Sequence, residues 1–435
     1  MSVFLDDEDL VQLEDGIGSL DVNDNNSGPS ELNYRLLAVQ SEDEYDYGES
    51  LPVPMYDSRS HSNGRRRRLT ISSLYEIPLK QYSLAPRFDK PKVSDFDVIK
   101  VLGRGAYGKV LLVKEKSTNK LYAMKQLKKA LLIINNTIHE VNYNRTVNEK
   151  TILQSVNHPN IVKLYYAFQD HNKLYLILEY LDGGELFHHL AQERYMPETK
   201  ASYYIAQLIV AIRYLHVNLK VIYRDLKPEN CMLNSYGHLV LTDFGLSKQT
   251  VDDVKLNSLA GTAQYMAPEI LKGEEYDFGV DWWSLGCVCF DLLTGSPPFT
   301  GNNNKKVMDK VMNAKKFLKF PFYLSLDAKD FLRKLLQVNP MKRVDLDDET
   351  QFKKIMQHRF FRTVDWKTLN DTDIIPPILP VITDPILAEN FDDEFTNMPF
   401  TPPDKSPLDE DILQVKGFSF VNESVLEKMY NSRPE

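Results

Sequence analysis

Long apolar runs are missing from this 435-residue chain: nowhere do about 18 apolar residues follow one another, so no membrane-spanning helix is expected. Cysteine is scarce as well. The three present, Cys231, Cys287 and Cys289, cannot build a disulfide framework, and no second pair completes a zinc site. Reduced structural thiols in a reducing compartment are the expectation. The opening MSVFLDDEDL has neither the basic nor the apolar stretch of a secretory leader, which points to a cytoplasmic setting. No internal repeat is visible, which excludes a solenoid or propeller. With 43% hydrophobic and 26% charged residues, a wholly disordered chain and a collagen-like fibre are excluded too.

What the chain does have is an uneven charge. The net value of -9 hides 14 acids against one Arg in residues 1–50, and 11 acids against one Lys in residues 371–411. Residues 51–370 carry 47 basic and 33 acidic side chains, so a basic body lies between two acidic segments. Residues 1–60 mix Asp, Glu, Asn, Ser and Gly without a sustained period and cannot bury enough surface to offset chain entropy, so residues 1–95 are expected to be a mostly disordered extension. From Phe96 the pattern changes. FDVIKVLGRGAYGKVLLVKE and LYAMKQL alternate apolar and polar positions as hairpin-linked strands do, whereas ETKASYYIAQLIVAIRYLHVN and LSLDAKDFLRKLLQ place apolar residues three and four apart, as helices do. A small β-rich unit followed by a larger helical one makes the fold class α+β. Beyond Phe361 the chain is rich in Pro, Asp and Phe, and a tail laid over the folded body is expected.

Three groups of residues carry chemistry. Gly103, Gly105 and Gly108 form G-x-G-x-x-G between two strands, which lets backbone N–H groups approach phosphate oxygens; a dinucleotide site of the same spacing would need a helix next. Lys125 lies inside an apolar strand, costly to bury unless paired, and Glu149 in the helical segment RTVNEKTIL is the candidate partner. VIYRDLKPEN supplies Asp225, Lys227 and Asn230, and LTDFG supplies Asp243. Phosphoryl transfer asks for a carboxylate to accept the proton of the attacking hydroxyl, here Asp225, and for hard oxygen ligands to Mg2+, here Asn230 and Asp243. Lys227 is within reach of the transferred group and can stabilise its charge.

Together these residues resemble the eukaryotic protein kinase family from Phe96 to Phe361, and Ala267-Pro268-Glu269, the Asp281–Gly286 stretch and Arg343 agree with it. The resemblance implies a bilobal kinase fold with a β-rich N-lobe (96–180), a helical C-lobe (181–361) and ATP between them. ATP would be held by Leu102, Gly103, Arg104, Gly105, Ala106, Tyr107, Gly108, Lys109 and Val110 of the loop, by Ala123 and Lys125, by the hinge residues Glu179 and Leu181, and by Glu185, Met232 and Asp243. Leu178 matches the gatekeeper, and Leu153, Leu164, Tyr223 and Phe244 the apolar spine. Lys227 and Gly261-Thr262 resemble serine/threonine rather than tyrosine kinases. Tyr in YRD, the GGELF stretch and the tail resemble the AGC group, and within it LTDFGLSK, NFDDEFT and VKGFSFV are similar to ribosomal S-six kinases, the single-domain class fitting better.

The same resemblance implies a switch and a substrate class. Ser258 matches the activation-loop phosphosite, with Arg224 its expected partner; Thr401 and Ser406 match the turn motif, and Ser419 the hydrophobic motif of a regulatory tail spanning 362–435. Upstream kinases acting on those sites are expected partners. Val415 stands where the family usually has Phe, so docking of that motif is expected to be weaker or to need phosphorylation more. Glu185 and Glu229 match positions that accept Arg upstream of the target hydroxyl, and Asp291 a third such position. Substrates are therefore expected to be proteins carrying R-x-R-x-x-S/T-like sites; nucleic acid is not expected as a partner, and the chain is expected to be a monomer. Thr70 follows Arg65-Arg66-Arg67-Arg68-Leu69 and itself fits that pattern, as an autophosphorylation or pseudosubstrate-like site; a nuclear-import run and a phosphoinositide patch stay open for the same arginines. Phe4–Leu10 is similar to the aromatic-acidic signal that recruits such kinases to the target-of-rapamycin complex. A pseudokinase scaffold, a small-molecule kinase and another AGC branch are the alternative readings.

Overall fold

The computed structural model describes residues 91–431 except 106–107, 135–136, 139, 251–255, 257–260, 372–373 and 400–413. Five antiparallel strands open it: β1 (Phe96–Gly105), β2 (Gly108–Glu115), β3 (Leu121–Lys128), β4 (Leu164–Gln169) and β5 (Lys173–Glu179), laid side by side in the order β1-β2-β3-β5-β4. Their alternation sorts side chains onto two faces. Val101, Leu111, Val113, Tyr122 and Met124 pack on the outer face, and their chain neighbours Leu102, Leu112 and Ala123 pack on the inner one. Helix α1 (Glu140–Ser155) crosses between β3 and β4 and carries Glu149, a buried carboxylate.

Helices dominate the rest of the fold. After the short β6 (Gly184–Glu185) come α2 (Leu186–Glu193) and α3 (Glu198–Leu219), then β7 (Val221–Ile222), β8 (Cys231–Leu233), β9 (Leu239–Leu241) and β10 (Lys248–Gln249). Strands β6, β8 and β9 form one small ladder and β7 pairs with β10, so segments 223–230 and 242–247 are each bounded by short strands. Helices α4 (Gly279–Thr294) and α5 (Leu326–Leu335) complete the core. Every residue of α4 from Val280 to Leu293 is buried, which is why its sequence shows no polar face. It stops at Gly295, whose left-handed φ of 76° lets its N–H close on the Asp291 carbonyl. Ser325 starts α5 by accepting from Ala328 N at 3.0 Å while giving its hydroxyl to Glu198 at 2.7 Å.

Two buried ionic clusters tie this core together. Arg343 forks onto Glu269 at 2.6 and 3.0 Å and donates to the Gly279 carbonyl at 2.8 Å, joining the short helix Pro268–Leu271 to the start of α4. Asp281 accepts from Tyr223 N at 2.7 Å, Arg224 N at 2.8 Å and His216 Nε2 at 2.8 Å, while His216 Nδ1 faces Asp347 at 2.9 Å. Burial alone would lower the His216 pKa, but Asp347 and Asp281 outweigh it and push it up to about 9, so the imidazole stays charged.

The tail makes several contacts with this body. Ile378 N donates to Tyr204 Oη at 3.0 Å, Lys100 Nζ reaches the Leu387 carbonyl at 2.7 Å and Tyr180 Oη the Pro385 carbonyl at 2.9 Å. Strand β11 (Phe420–Val421) then joins the edge of β4, followed by helix α6 (Glu423–Asn431). Val415 and Phe418 are each 2% exposed, burial that stabilises docking by about 1.5–3 kcal/mol per side chain. Val415 is a smaller side chain than Phe, yet it is enclosed, because Gln169 clamps its backbone from both sides: Gln169 Nε2 donates to Val415 O at 2.8 Å and Val415 N donates to Gln169 Oε1 at 3.1 Å. Among the described residues no helix is long and apolar enough to cross a membrane.

Candidate active site

Lys125 projects from β3 into the cleft, where its Nζ meets Glu149 Oε1 at 2.7 Å and Asp243 Oδ1 at 3.0 Å. Burial works to lower its pKa, but the carboxylates of Asp243 and Glu149 outweigh that and raise it, so the ammonium is held charged. The pairing inferred from the sequence is thus present, and Asp243 is a second partner. Asp243 has a left-handed φ of 52°, a conformation costly for a non-glycine residue, and its Oδ1 also accepts from Gly245 N at 3.1 Å. Although burial opposes it, Lys125 keeps the Asp243 carboxyl below its usual range and therefore ionised.

Asp225 is held from one side only. Its Oδ2 receives Lys227 Nζ at 2.9 Å and Asn230 Nδ2 at 3.1 Å, and the same amide donates to the Asp225 backbone carbonyl at 2.7 Å. Oδ1 is buried and accepts no hydrogen bond from the described residues. Burial pushes the Asp225 carboxyl up to about 6 against the pull of Lys227, leaving it ionised at neutral pH but basic enough to take a proton. The loop is fixed from below by Asp281, which accepts from the two successive backbone N–H groups of Tyr223 and Arg224 that lead into the strained turn where Arg224 has φ 66°. Asp281 was legible as family sequence, but nothing in its spacing announced that role.

Asn230 and Asp243 are the residues that could hold a metal ion. Asn230 commits its amide nitrogen to Asp225, leaving its carbonyl oxygen for a cation, and no group of three or more His, Cys, Asp or Glu among the described residues could hold one alone. Such a two-donor site fits a hard divalent ion that shares its shell with phosphate oxygens, as magnesium does. A cation there would supply positive charge against the phosphates.

Above these groups lies the glycine loop. A Cβ at Gly108 would stand 1.7 Å from the Gln126 carbonyl, so β2 could not pair with β3 there with any other residue, whereas a Cβ at Gly103 or Gly105 would meet none of the described residues within 4 Å. Among the described residues nothing crowds those two glycines, as close approach of a ligand requires. Leu102, Ala123, Val110 and Leu178 form one apolar cluster, the ceiling of the cleft, with Met232 half-buried on β8 opposite. Glu179 ends β5 and Leu181 is buried beside it. Arg104 is exposed and Lys109 half-buried at the rim. Leu153, Leu164, Tyr223 and Phe244 belong to one buried cluster, with the Tyr223 and Phe244 rings edge to face at 5.2 Å. Ala106, Tyr107, Thr70, Ser258, Thr401 and Ser406 lie outside the described residues, as does Phe4–Leu10.

Two residues of this cleft escaped sequence reasoning. Ala388 and Phe391 of the tail close the ceiling cluster, and the Phe391 ring stacks on Tyr180 of the hinge with centroids 5.9 Å apart. Asn390 fastens this strap by donating to the Asp182 carbonyl at 3.0 Å, and Gly184, at φ 71°, lets it pass, since a Cβ there would stand 2.2 Å from the Asn390 carbonyl. Replacing Phe391 with Ala is expected to raise KM for ATP about tenfold while changing kcat less than threefold, measured by initial rates over a range of ATP; a KM unchanged within twofold would remove Phe391 from the cleft's function.

At the outer rim Glu185 and Glu229 are exposed, with electrostatic coupling between them. The surrounding protein, together with Glu229 and Asp392, pushes Glu185 up to about 7. Asp291 differs from expectation. It is buried and receives the Tyr265 hydroxyl at 2.7 Å, so its carboxylate is already engaged. Arg224 donates Nε to the Leu246 carbonyl at 2.7 Å and Nη1 to Tyr276 Oη at 3.1 Å.

A charged lysine between two carboxylates, a half-held aspartate and a glycine-lined loop define a phosphotransferase cleft. Residues 96–361 match the protein kinase domain family. Serine/threonine-protein kinase YPK3 of Saccharomyces cerevisiae is 43% identical over 400 residues, covering 77% of this chain and 76% of its own length. Ribosomal protein S6 kinase alpha-2 of Homo sapiens is 41% identical over 376 residues, 85% of this chain and 50% of its own; alpha-6 of Mus musculus is 41% identical over 360 residues, 81% and 45%. This chain thus spans about half the length of those two mammalian relatives. The chain belongs to the protein kinase family. Within it, it is a serine/threonine kinase of the AGC type, related to YPK3 and the S6 kinases.

Proposed function

We propose that the chain transfers the γ-phosphate of ATP, bound with Mg2+, to Ser or Thr in protein sites of the R-x-R-x-x-S/T type. Asp225 Oδ1 takes the proton of the attacking hydroxyl, Lys227 stabilises charge on the transferred group, and Lys125, fixed by Glu149, positions the phosphates. The observation that carries the substrate class is the pair of rim carboxylates, Glu185 and Glu229, which suit guanidinium groups upstream of the target. Two of the relatives are named for ribosomal protein S6, and a basic protein of that kind, phosphorylated in a growth- or nutrient-regulated target-of-rapamycin pathway, is the substrate class we assign. Ser258, Thr401, Ser406 and Ser419 are its regulatory phosphosites, upstream kinases its partners, Thr70 its site in cis, and the cytoplasm, with the nucleus open through Arg65–Arg68, its location.

The test is phosphorylation of an R-x-R-x-x-S peptide and of its Ala-for-Arg counterpart between pH 6 and 8, with Lys125→Met as the blank. Glu185, raised to about 7, is ionised above that pH and neutral below it. KM for the arginine peptide should therefore rise severalfold as pH falls from 8 to 6, while KM for the Ala peptide stays flat. Equal KM values for the two peptides at pH 8 would sink the substrate assignment.

A further inference from the structure

The hold of Asp281 on the Tyr223–Arg224 backbone is itself supported from behind. Asp281 Oδ2 takes His216 Nε2 at 2.8 Å beside Tyr223 N, and the opposite ring nitrogen, Nδ1, faces Asp347 with Oδ2 at 2.9 Å and Oδ1 at 3.1 Å. The side chains of His216 and Asp281 are 1% and 0% exposed. Asp347 is 20% exposed and comes from a distant part of the chain, the run Asp345-Leu346-Asp347-Asp348 that precedes the helix Glu349–Met356. Three bonds fix it there. Trp282 Nε1 donates to Asp347 Oδ2 at 3.2 Å, Asp347 N donates to Asp345 Oδ1 at 2.9 Å, and Arg213 Nε donates to the Leu346 carbonyl at 3.0 Å. The imidazole also lies against the Phe278 and Trp282 rings, with centroids 4.8 and 5.0 Å away, while Arg213, three residues earlier on α3, is paired with Glu349. From the sequence such an acidic run reads as a solvated turn, yet its third residue faces inward.

We propose that Asp347 is a positioning residue for phosphoryl transfer: by accepting the Nδ1 hydrogen of His216 it keeps the Nε2 hydrogen on Asp281, and so keeps Asp281 on the backbone that leads to Asp225. The physical ground is the hydrogen inventory. Two ionised carboxylates can only accept, so both ring nitrogens must donate, which the imidazolium alone can do. A neutral ring has a single N–H. It would set a lone pair against a buried carboxylate, against Asp281 in one tautomer and against Asp347 in the other. When the lone pair opposes Asp281, Oδ2 turns from Tyr223 N and the strained turn at Arg224 loses one of its two anchors. Asp347 acts through two other side chains and touches neither nucleotide nor substrate. Its effect on rate rests on the kinase reading of the cleft, whereas its effect on the ring does not.

The experiment takes the full chain as wild type, Asp347→Asn and Asp347→Glu. It reads peptide kinase kcat from about pH 6.5 to 9.5, the His216 ring by NMR of histidine-labelled protein assigned with His216→Gln, and the exchange protection of the 222–225 amides. Because the His216 pKa is raised to about 9, the ring is charged below that pH and neutral above it, so wild-type kcat should fall as pH rises through about 9. In Asp347→Asn the ring should lose its charge about one pH unit lower or more. Its kcat should then lie within about twofold of wild type at pH 6.5 but about fivefold below it at pH 8.5, with KM for ATP unchanged and protection of the 222–225 amides reduced about fivefold. Asp347→Glu keeps a carboxylate and should regain most of the alkaline activity. A loss that is the same at every pH, or a Glu variant no better than Asn, would make Asp347 a packing residue and overturn the proposal. Should Asp347→Asn fail to fold, wild type decides: a His216 ring already neutral at pH 8 overturns the proposal, and a ring still charged there, with amide protection falling only above about pH 9, upholds it. If wild type does not phosphorylate the peptide, the kinase reading falls while ring titration and exchange still decide Asp347.

Discussion

An Asp225→Asn enzyme should phosphorylate its peptide about 10²–10⁴-fold more slowly than wild type, with KM for ATP little altered. The substitution keeps the shape of the side chain and a polar group for Lys227 and Asn230 to meet, but Oδ1, which accepts no hydrogen bond from the described residues, becomes part of a neutral amide that cannot take a proton. The pH profile separates this from mere misplacement. The wild-type carboxyl, raised to about 6, is ionised above that pH and protonated below it, so kcat should fall as pH drops through about 6, and the residual rate of the Asn variant should lack that acid limb. A variant that keeps more than a tenth of wild-type kcat, or the same acid limb, would show that Asp225 is not the proton acceptor. Stability should not fall with activity, because the change removes a buried charge.

The opposite pattern is expected at Arg343. Its guanidinium and the Glu269 carboxylate are almost fully enclosed, with side-chain exposures of 1% and 3%. Arg343→Ala leaves Glu269 charged, buried and unpaired, which costs roughly 3–5 kcal/mol in unfolding free energy. Two further bonds from Arg343 to the Gln337 carbonyl, at 3.2 and 2.9 Å, go with it. The combined change Arg343→Met with Glu269→Gln should be less damaging than Arg343→Ala, because no charge is then stranded. Urea midpoints of the variants close the cycle; equal losses in single and double variants would mean that packing, and not the ion pair, holds this corner.

The candidate catalytic set was readable from the chain because transfer chemistry compresses it into short runs: Asp225, Lys227 and Asn230 lie within six residues, and Asp243 follows after the short hairpin β8–β9. The Lys125–Glu149 pair was readable for a different reason, since a lysine in an apolar strand demands a partner and few carboxylates stand on a neighbouring helix. Phe391 and Ala388 were not, because their role comes from where the tail happens to cross the hinge, and no local spacing encodes a crossing. Asp291 shows the converse: its position matched a guanidinium acceptor, while the Tyr265 hydroxyl, supplied from 26 residues earlier, decides what it does. The strand at Phe420–Val421 is too short for any period, so β11 exists only as a partner of β4 and could be seen only in space.

That strand has a consequence apart from catalysis. The sheet has a free margin at β4 unless something lies along it, and a bare margin presents unpaired N–H and C=O groups to any extended segment of another chain. Here the chain covers that margin with its own residues, as a hem is folded under. Release of the tail would then do more than slacken the cleft: it would bare a backbone template flanked by Tyr165, Ala167 and the emptied seats of Val415 and Phe418, inviting edge-to-edge association. One two-residue strand therefore covers that margin of the sheet.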